Sequence, residues 1–85
     1  MKLNKQNLIN KIKFRSQYRG TKEMDIFLNT FVNKIISDLH IDDLHHLNKL
    51  INLNDEEIVE ISNGKIKTEI DQKIINRLID FKKKY

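Results

Sequence analysis

Three histidines, twelve carboxylates and no cysteine set the limits of the chemistry open to this 85-residue chain. His40, His45 and His46 stand among acids, so metal binding is the first possibility to weigh. Ligands on one helix recur three or four residues apart, whereas these histidines are separated by five and by one and diverge. Asp42 and His46 do share a face, but two ligands are too few for a site. Nucleophilic chemistry fares no better, with no thiol, no serine in an elbow motif and no pair of carboxylates bound to share a cleft. Gly20 and Gly64 are the only glycines and lie far apart, so no glycine-rich phosphate loop can form. Glu23 and Asp25, two apart, diverge on a helix and suit separate roles rather than an acid–base pair. No enzyme, no metal site and no stably bound cofactor is expected.

The elements that must position any functional residue are bounded by size. At 10.2 kDa the chain is one small domain, 1–85, with a limited core and little room for a buried cavity. A hydrophobic fraction of 39% and a charged fraction of 33% fit a folded globular chain, and the lack of proline favours helices throughout. No apolar run approaches the roughly 20 residues of a membrane span, so no membrane insertion is expected. The basic N-terminal segment lacks the arginine and serine enrichment of a transit peptide before Phe14 and is read as mature structure. Zero cysteines agree with a reducing compartment, and a cytoplasmic location is the expectation.

The net charge of +4 is uneven. Residues 1–20 carry six Lys/Arg and no acid, residues 21–64 three against nine acids, and residues 65–85 seven against three. Basic ends flanking an acidic middle suit either a nucleic-acid binder or helices that attract one another.

Hydrophobic periodicity divides the chain into five helices. The first spans about Asn4 to Tyr18, with Leu8, Ile9 and Ile12 on its stripe. Phe14 and Tyr18, four apart, lie off that stripe, and either pack against the next helix, which is the expectation, or form an aromatic patch for a partner. The second, Thr21 to about Asp38, carries Met24, Phe27, Leu28, Phe31, Val32, Ile35, Ile36 and Leu39 and should be central, touched on two sides. The third runs from Ile41 to Leu53 with His45 and His46 largely outward. A fourth, short helix follows the capping-box spacing of Asn54 and Glu57, is packed down by Ile58, Val59 and Ile61, and stops at Asn63-Gly64. The last begins near Thr68 and ends in Lys82-Lys83-Lys84-Tyr85, cations where the helix dipole favours them. The fold class is all-α, a compact five-helix bundle.

The tightest corner in this scheme is Tyr18-Arg19-Gly20-Thr21-Lys22-Glu23-Met24-Asp25. Gly20 can take the positive φ that ends one helix, Thr21 can cap the next, and Glu23 and Asp25 fall in its first turn. From the residues alone this is either two caps and a favourable charge or a rigid corner that presents a cation beside anions. A small basic helical nucleic-acid binder stays open as an alternative. Against it, the helix after this turn is acidic at its start and apolar along its length, leaving no basic face for phosphates, and no nucleic-acid partner is expected.

The order Lys11-Ile12-Lys13-Phe14, then Arg19-Gly20-Thr21-Lys22-Glu23-Met24-Asp25, then Phe31, resembles the small FAD assembly factors of succinate dehydrogenase, the SdhE family. These carry a basic residue, an isoleucine and an aromatic residue followed by RGxxE and usually a hydrophobic residue and Asp. Leu50-Ile51 and Asn54-Asp55-Glu56-Glu57-Ile58 are similar to the family's leucine pair, acidic turn and short helix. Phe14 stands where the family often has tryptophan, and Ile61 replaces another aromatic residue. The resemblance implies a non-enzymatic five-helix helper, and a monomer is expected when it is free. It would bind the flavoprotein subunit of succinate dehydrogenase, and by extension that of fumarate reductase, and promote covalent attachment of FAD. It also implies that Arg19, Gly20 and Glu23 are the motif residues, with Asp25, Phe14, Arg15 and Tyr18 as further partner-binding residues. The expected roles are close backbone approach at Gly20, pairing of Arg19 with a partner carboxylate or carbonyl, and acceptance of partner hydrogen bonds by Glu23.

Overall fold

The computed structural model describes residues 2–64 and 68–85, with side chains from Lys5 onward. Five α-helices follow in order: α1 (Lys2–Gln17), α2 (Lys22–Ile35), α3 (Ile41–Ile51), α4 (Asp55–Ser62) and α5 (Gln72–Lys84), with a 3-10 turn at Ile36–Asp38. No strand occurs among the described residues, as the five-helix expectation required. The radius of gyration, 12.0 Å, matches the roughly 12 Å of a close-packed chain of this length.

One core joins all five helices. Ile12 of α1, Leu28, Phe31 and Val32 of α2, Leu44, Leu47 and Leu50 of α3, Ile58 of α4 and Leu78 of α5 are fully buried. Phe27, Phe31, Phe81 and Tyr85 form a ring cluster with centroids 5.2–5.5 Å apart, which ties α2 to the end of α5. Thus α2 is touched on two sides, by α1 and by α5. Less expected is the place of α1, which packs closely on both α2 and α3. Its buried Ser16 is small, and the hydroxyl donates to the Lys13 carbonyl at 2.8 Å, so that buried hydroxyl is satisfied within α1.

Local chemistry explains the helix ends, including three that differ from expectation. Thr21 caps α2, its hydroxyl accepting from the Met24 N–H at 3.4 Å. The α-helix then ends at Ile35 rather than Asp38, because the chain tightens into the 3-10 turn before Leu39 becomes extended and enters the core. Asn54 caps α4 by accepting from the Glu57 N–H at 2.8 Å, and α3 stops at Ile51 to make room for that cap. Helix α4 packs through Ile58 and Ile61, while Val59, read as inward, is 42% exposed. It ends at Ser62, and Gly64 just beyond turns the chain away with a φ of +77°, open to glycine at little cost. The start of α5 lies at Gln72, not near Thr68: Asp71 is the N-cap, accepting from the Lys73 N–H at 2.9 Å, while Thr68 accepts only from Ile70 in the preceding bend.

Candidate functional site

The corner between α1 and α2 is only four residues long, Tyr18 to Thr21, and each does a different job. Gly20 has φ +105°, a region that L side chains rarely adopt, and this lets the chain reverse. A Cβ built there would meet nothing within 4 Å, so the space above Gly20 is open. Asp25, one turn into α2, reaches back so that its carboxylate accepts the Arg19 backbone N–H at 2.6 Å, and the Asp25 N–H donates to the Thr21 carbonyl at 3.0 Å. Together with the Thr21 cap, these bonds close the corner on itself.

Arg19 then fastens the corner to the rest of the molecule. Its guanidinium donates to the carbonyl oxygens of Ile51 and Leu53, where α3 ends, and through Nε (3.2 Å) and Nη2 (3.0 Å) to the Asp55 carboxylate, where α4 begins. The side chain is only 8% exposed, against 31% for Asp55. The placement follows from helix electrostatics: the unpaired carbonyls at a helix C-terminus attract a cation, and the next helix start attracts an anion. A planar fork of donors can satisfy both at once. The guanidinium expected to pair with a partner carboxylate or carbonyl thus finds both kinds of acceptor within its own chain. Its donors are engaged within the chain, and it joins the α1–α2 corner to the α3–α4 corner.

The remaining motif residues divide between inside and outside. Asp25 is half-buried and turned into the corner; Glu23, two residues earlier, is exposed, as their divergence required. Phe14 and Tyr18 are 63% and 68% exposed, their rings stacked at 4.7 Å with a 45° tilt. The expectation that they pack against the next helix is therefore wrong. Helix α1 is buried on its Ile12 and Ser16 face, between α2 and α3, and that leaves the aromatic face uncovered. Arg15 is exposed nearby on the same helix. The structure thus brings Phe14, Arg15, Tyr18, Gly20 and Glu23 to the surface around one corner and draws Arg19 and Asp25 inward to hold it.

The histidines make no site. No group of three or more His, Asp or Glu side chains gathers among the described residues in a way that could hold a metal ion. His46, expected to face outward, is half-buried, and its Nδ1 accepts the Asp71 N–H at 3.0 Å, which positions the start of α5. Asp55 is the residue that sequence reasoning missed. Its place at a helix start was visible, but its pairing with an arginine 36 residues away was not.

A family model described as flavinator of succinate dehydrogenase matches residues 10–82, most of the chain and all of the corner. No curated protein and no solved structure matches at a significant level. The chain belongs to the succinate dehydrogenase flavinator family, whose members are assembly factors rather than enzymes. No helix among the described residues is long and apolar enough to cross a membrane.

Proposed function

We propose that this chain binds the flavoprotein subunit of succinate dehydrogenase and promotes covalent attachment of FAD to it, docking through the face formed by Phe14, Arg15, Tyr18, Gly20 and Glu23. The observation that carries the proposal is an exposed aromatic pair beside a corner fixed by internal hydrogen bonds. Two large rings left in water are apolar area held ready for association. A corner that is already rigid loses little conformational entropy when a partner closes over it. The open space above Gly20 lets a partner backbone approach, and Glu23 offers a carboxylate to partner donors.

The chemistry asked of such a helper is positioning. A histidine and a flavin methyl group must be held in register while charge shifts on the flavin, and a factor acting from outside can favour that arrangement without a reacting group of its own. In this reading Arg19 and Asp25 are positioning residues and the chain holds no cofactor stably. It works as a monomer in the bacterial cytoplasm, and the homologous subunit of fumarate reductase is a second client. The test is co-expression with the flavoprotein subunit, scoring covalent flavin by in-gel fluorescence. Gly20→Arg, Glu23→Ala and the pair Phe14→Ala/Tyr18→Ala are expected to abolish or strongly reduce labelling while circular dichroism stays helical. Unchanged labelling by all three would overturn the assignment.

A further inference from the structure

A shallow cleft of about 470 Å³ opens directly beside the corner, lined by Thr21 and Met24 of the α2 start and by Asp55, Glu56, Val59 and Glu60 of α4. Its floor is apolar, with Met24 half-buried and Val59 42% exposed, and its rim carries three carboxylates and no cation. An adjoining notch lined by Arg19, Asn54, Asp55 and Glu56 shares two of these residues and lengthens the cleft. Asp55 is neutralised by Arg19, but Glu56 and Glu60 have no ion-pair partner among the described residues. Exposed acids around an apolar floor favour a cation attached to an apolar group and disfavour any anion. The acids do not converge as a metal site.

We propose that this cleft is the second half of the docking surface and takes a protein segment of the client in which an apolar side chain is flanked by lysine or arginine. The apolar side chain seats on Met24 and Val59, and the flanking cations pair with Glu56 and Glu60. This rests on the chain acting as a client-binding assembly factor. It adds to that reading by giving α4 a recognition role separate from the aromatic face. The Arg19 clasp matters here too, because it fixes α4 against the corner and so sets the width of the cleft.

Two measurements test it. In the first, the isotope-labelled full chain is titrated with a short amidated peptide carrying one leucine between two arginines, and the amide shifts are mapped. Movements confined to Thr21, Met24, Glu56, Val59 and Glu60 are expected. They should fade with added salt, vanish in Glu56→Lys/Glu60→Lys, and be absent with a peptide that has glutamate in place of arginine. In the second, binding to the flavoprotein subunit is titrated. The charge-reversed variant should bind about tenfold more weakly or worse, whereas Val59→Ser should weaken binding without changing its salt dependence. The proposal is overturned if the peptide perturbs other residues or none, if the charge-reversed variant matches the unmodified chain, or if the chain self-associates through this cleft, making a second copy the occupant. Loss of subunit binding by Gly20→Arg alone, with the charge-reversed variant unaffected, would remove the cleft and keep the client assignment. Peptide seated in the cleft with no subunit bound by the unmodified chain would do the reverse.

Discussion

Two aromatic groups in this molecule have similar ring spacing, but only one of them is anchored in the core. Phe27, Phe31, Phe81 and Tyr85 meet at 5.2–5.5 Å around the α2–α5 contact, with Phe31 completely buried, Phe27 and Phe81 packed against the core, Tyr85 exposed at the edge, and Lys34 lying 5.8 Å over the Phe81 ring. Phe14 and Tyr18 meet at 4.7 Å, but on a face of α1 that no other helix covers. Ring-to-ring contact therefore does not decide whether an aromatic residue serves the fold. What decides is whether the pair is continuous with the core. The first group is, and its worth is stability. The second is not, and its apolar area is left in water.

Substitutions in the two groups should separate these roles cleanly. The largest effect is expected at Phe31→Ala, which removes a fully buried ring and should cost about 3–5 kcal/mol. That is enough to leave a domain of this size largely unfolded in thermal or urea denaturation; a variant that melts like the unmodified chain would break the comparison. Next is Arg19→Ala, which strands two helix-end carbonyls and the Asp55 carboxylate and should cost about 2–4 kcal/mol. Arg19→Lys should recover only part of that, since a single ammonium cannot span both corners. Urea titration of the two variants side by side would show whether the fork geometry or the charge matters.

Gly20→Ala should cost about 1–2 kcal/mol from its positive φ alone, because a methyl group there meets no neighbour. The smallest effect on stability is expected for Phe14→Ala and Tyr18→Ala, within about 0.5 kcal/mol of the unmodified chain. Those two variants should nonetheless lose covalent flavin labelling of the co-expressed client. A large drop in melting temperature at either position would place the pair with the core and remove the contrast.

Much of the fold was legible because helices declare themselves locally. The periodic apolar residues of α2, the Asn54 cap and the Gly20 and Gly64 stops all act within a few positions, and each forms as read. Where two local signals competed, the nearer to the hydrophobic run prevailed: Asp71 rather than Thr68 begins α5, and Ile70 stays buried without being helical. The exposure of Phe14 and Tyr18 was not legible. Their position off the stripe of α1 is a local fact, but which neighbour covers that face depends on how α2 and α3 close around the helix. The Arg19–Asp55 pair was hidden for the same reason, since no local pattern links residues 36 apart. The candidate site was found through its motif, but the division of that motif into outward and inward residues needed the structure.

Two of the three groups that Arg19 grips are main-chain oxygens, those of Ile51 and Leu53. Every amino acid supplies such an oxygen, so the clasp is specified by only two side chains, Arg19 and Asp55. Positions 51–53 are free, as far as the clasp is concerned, to mutate in answer to other demands. Change in those side chains can thus proceed without unfastening the corner, because the clasp reads the backbone there and not the residues that carry it.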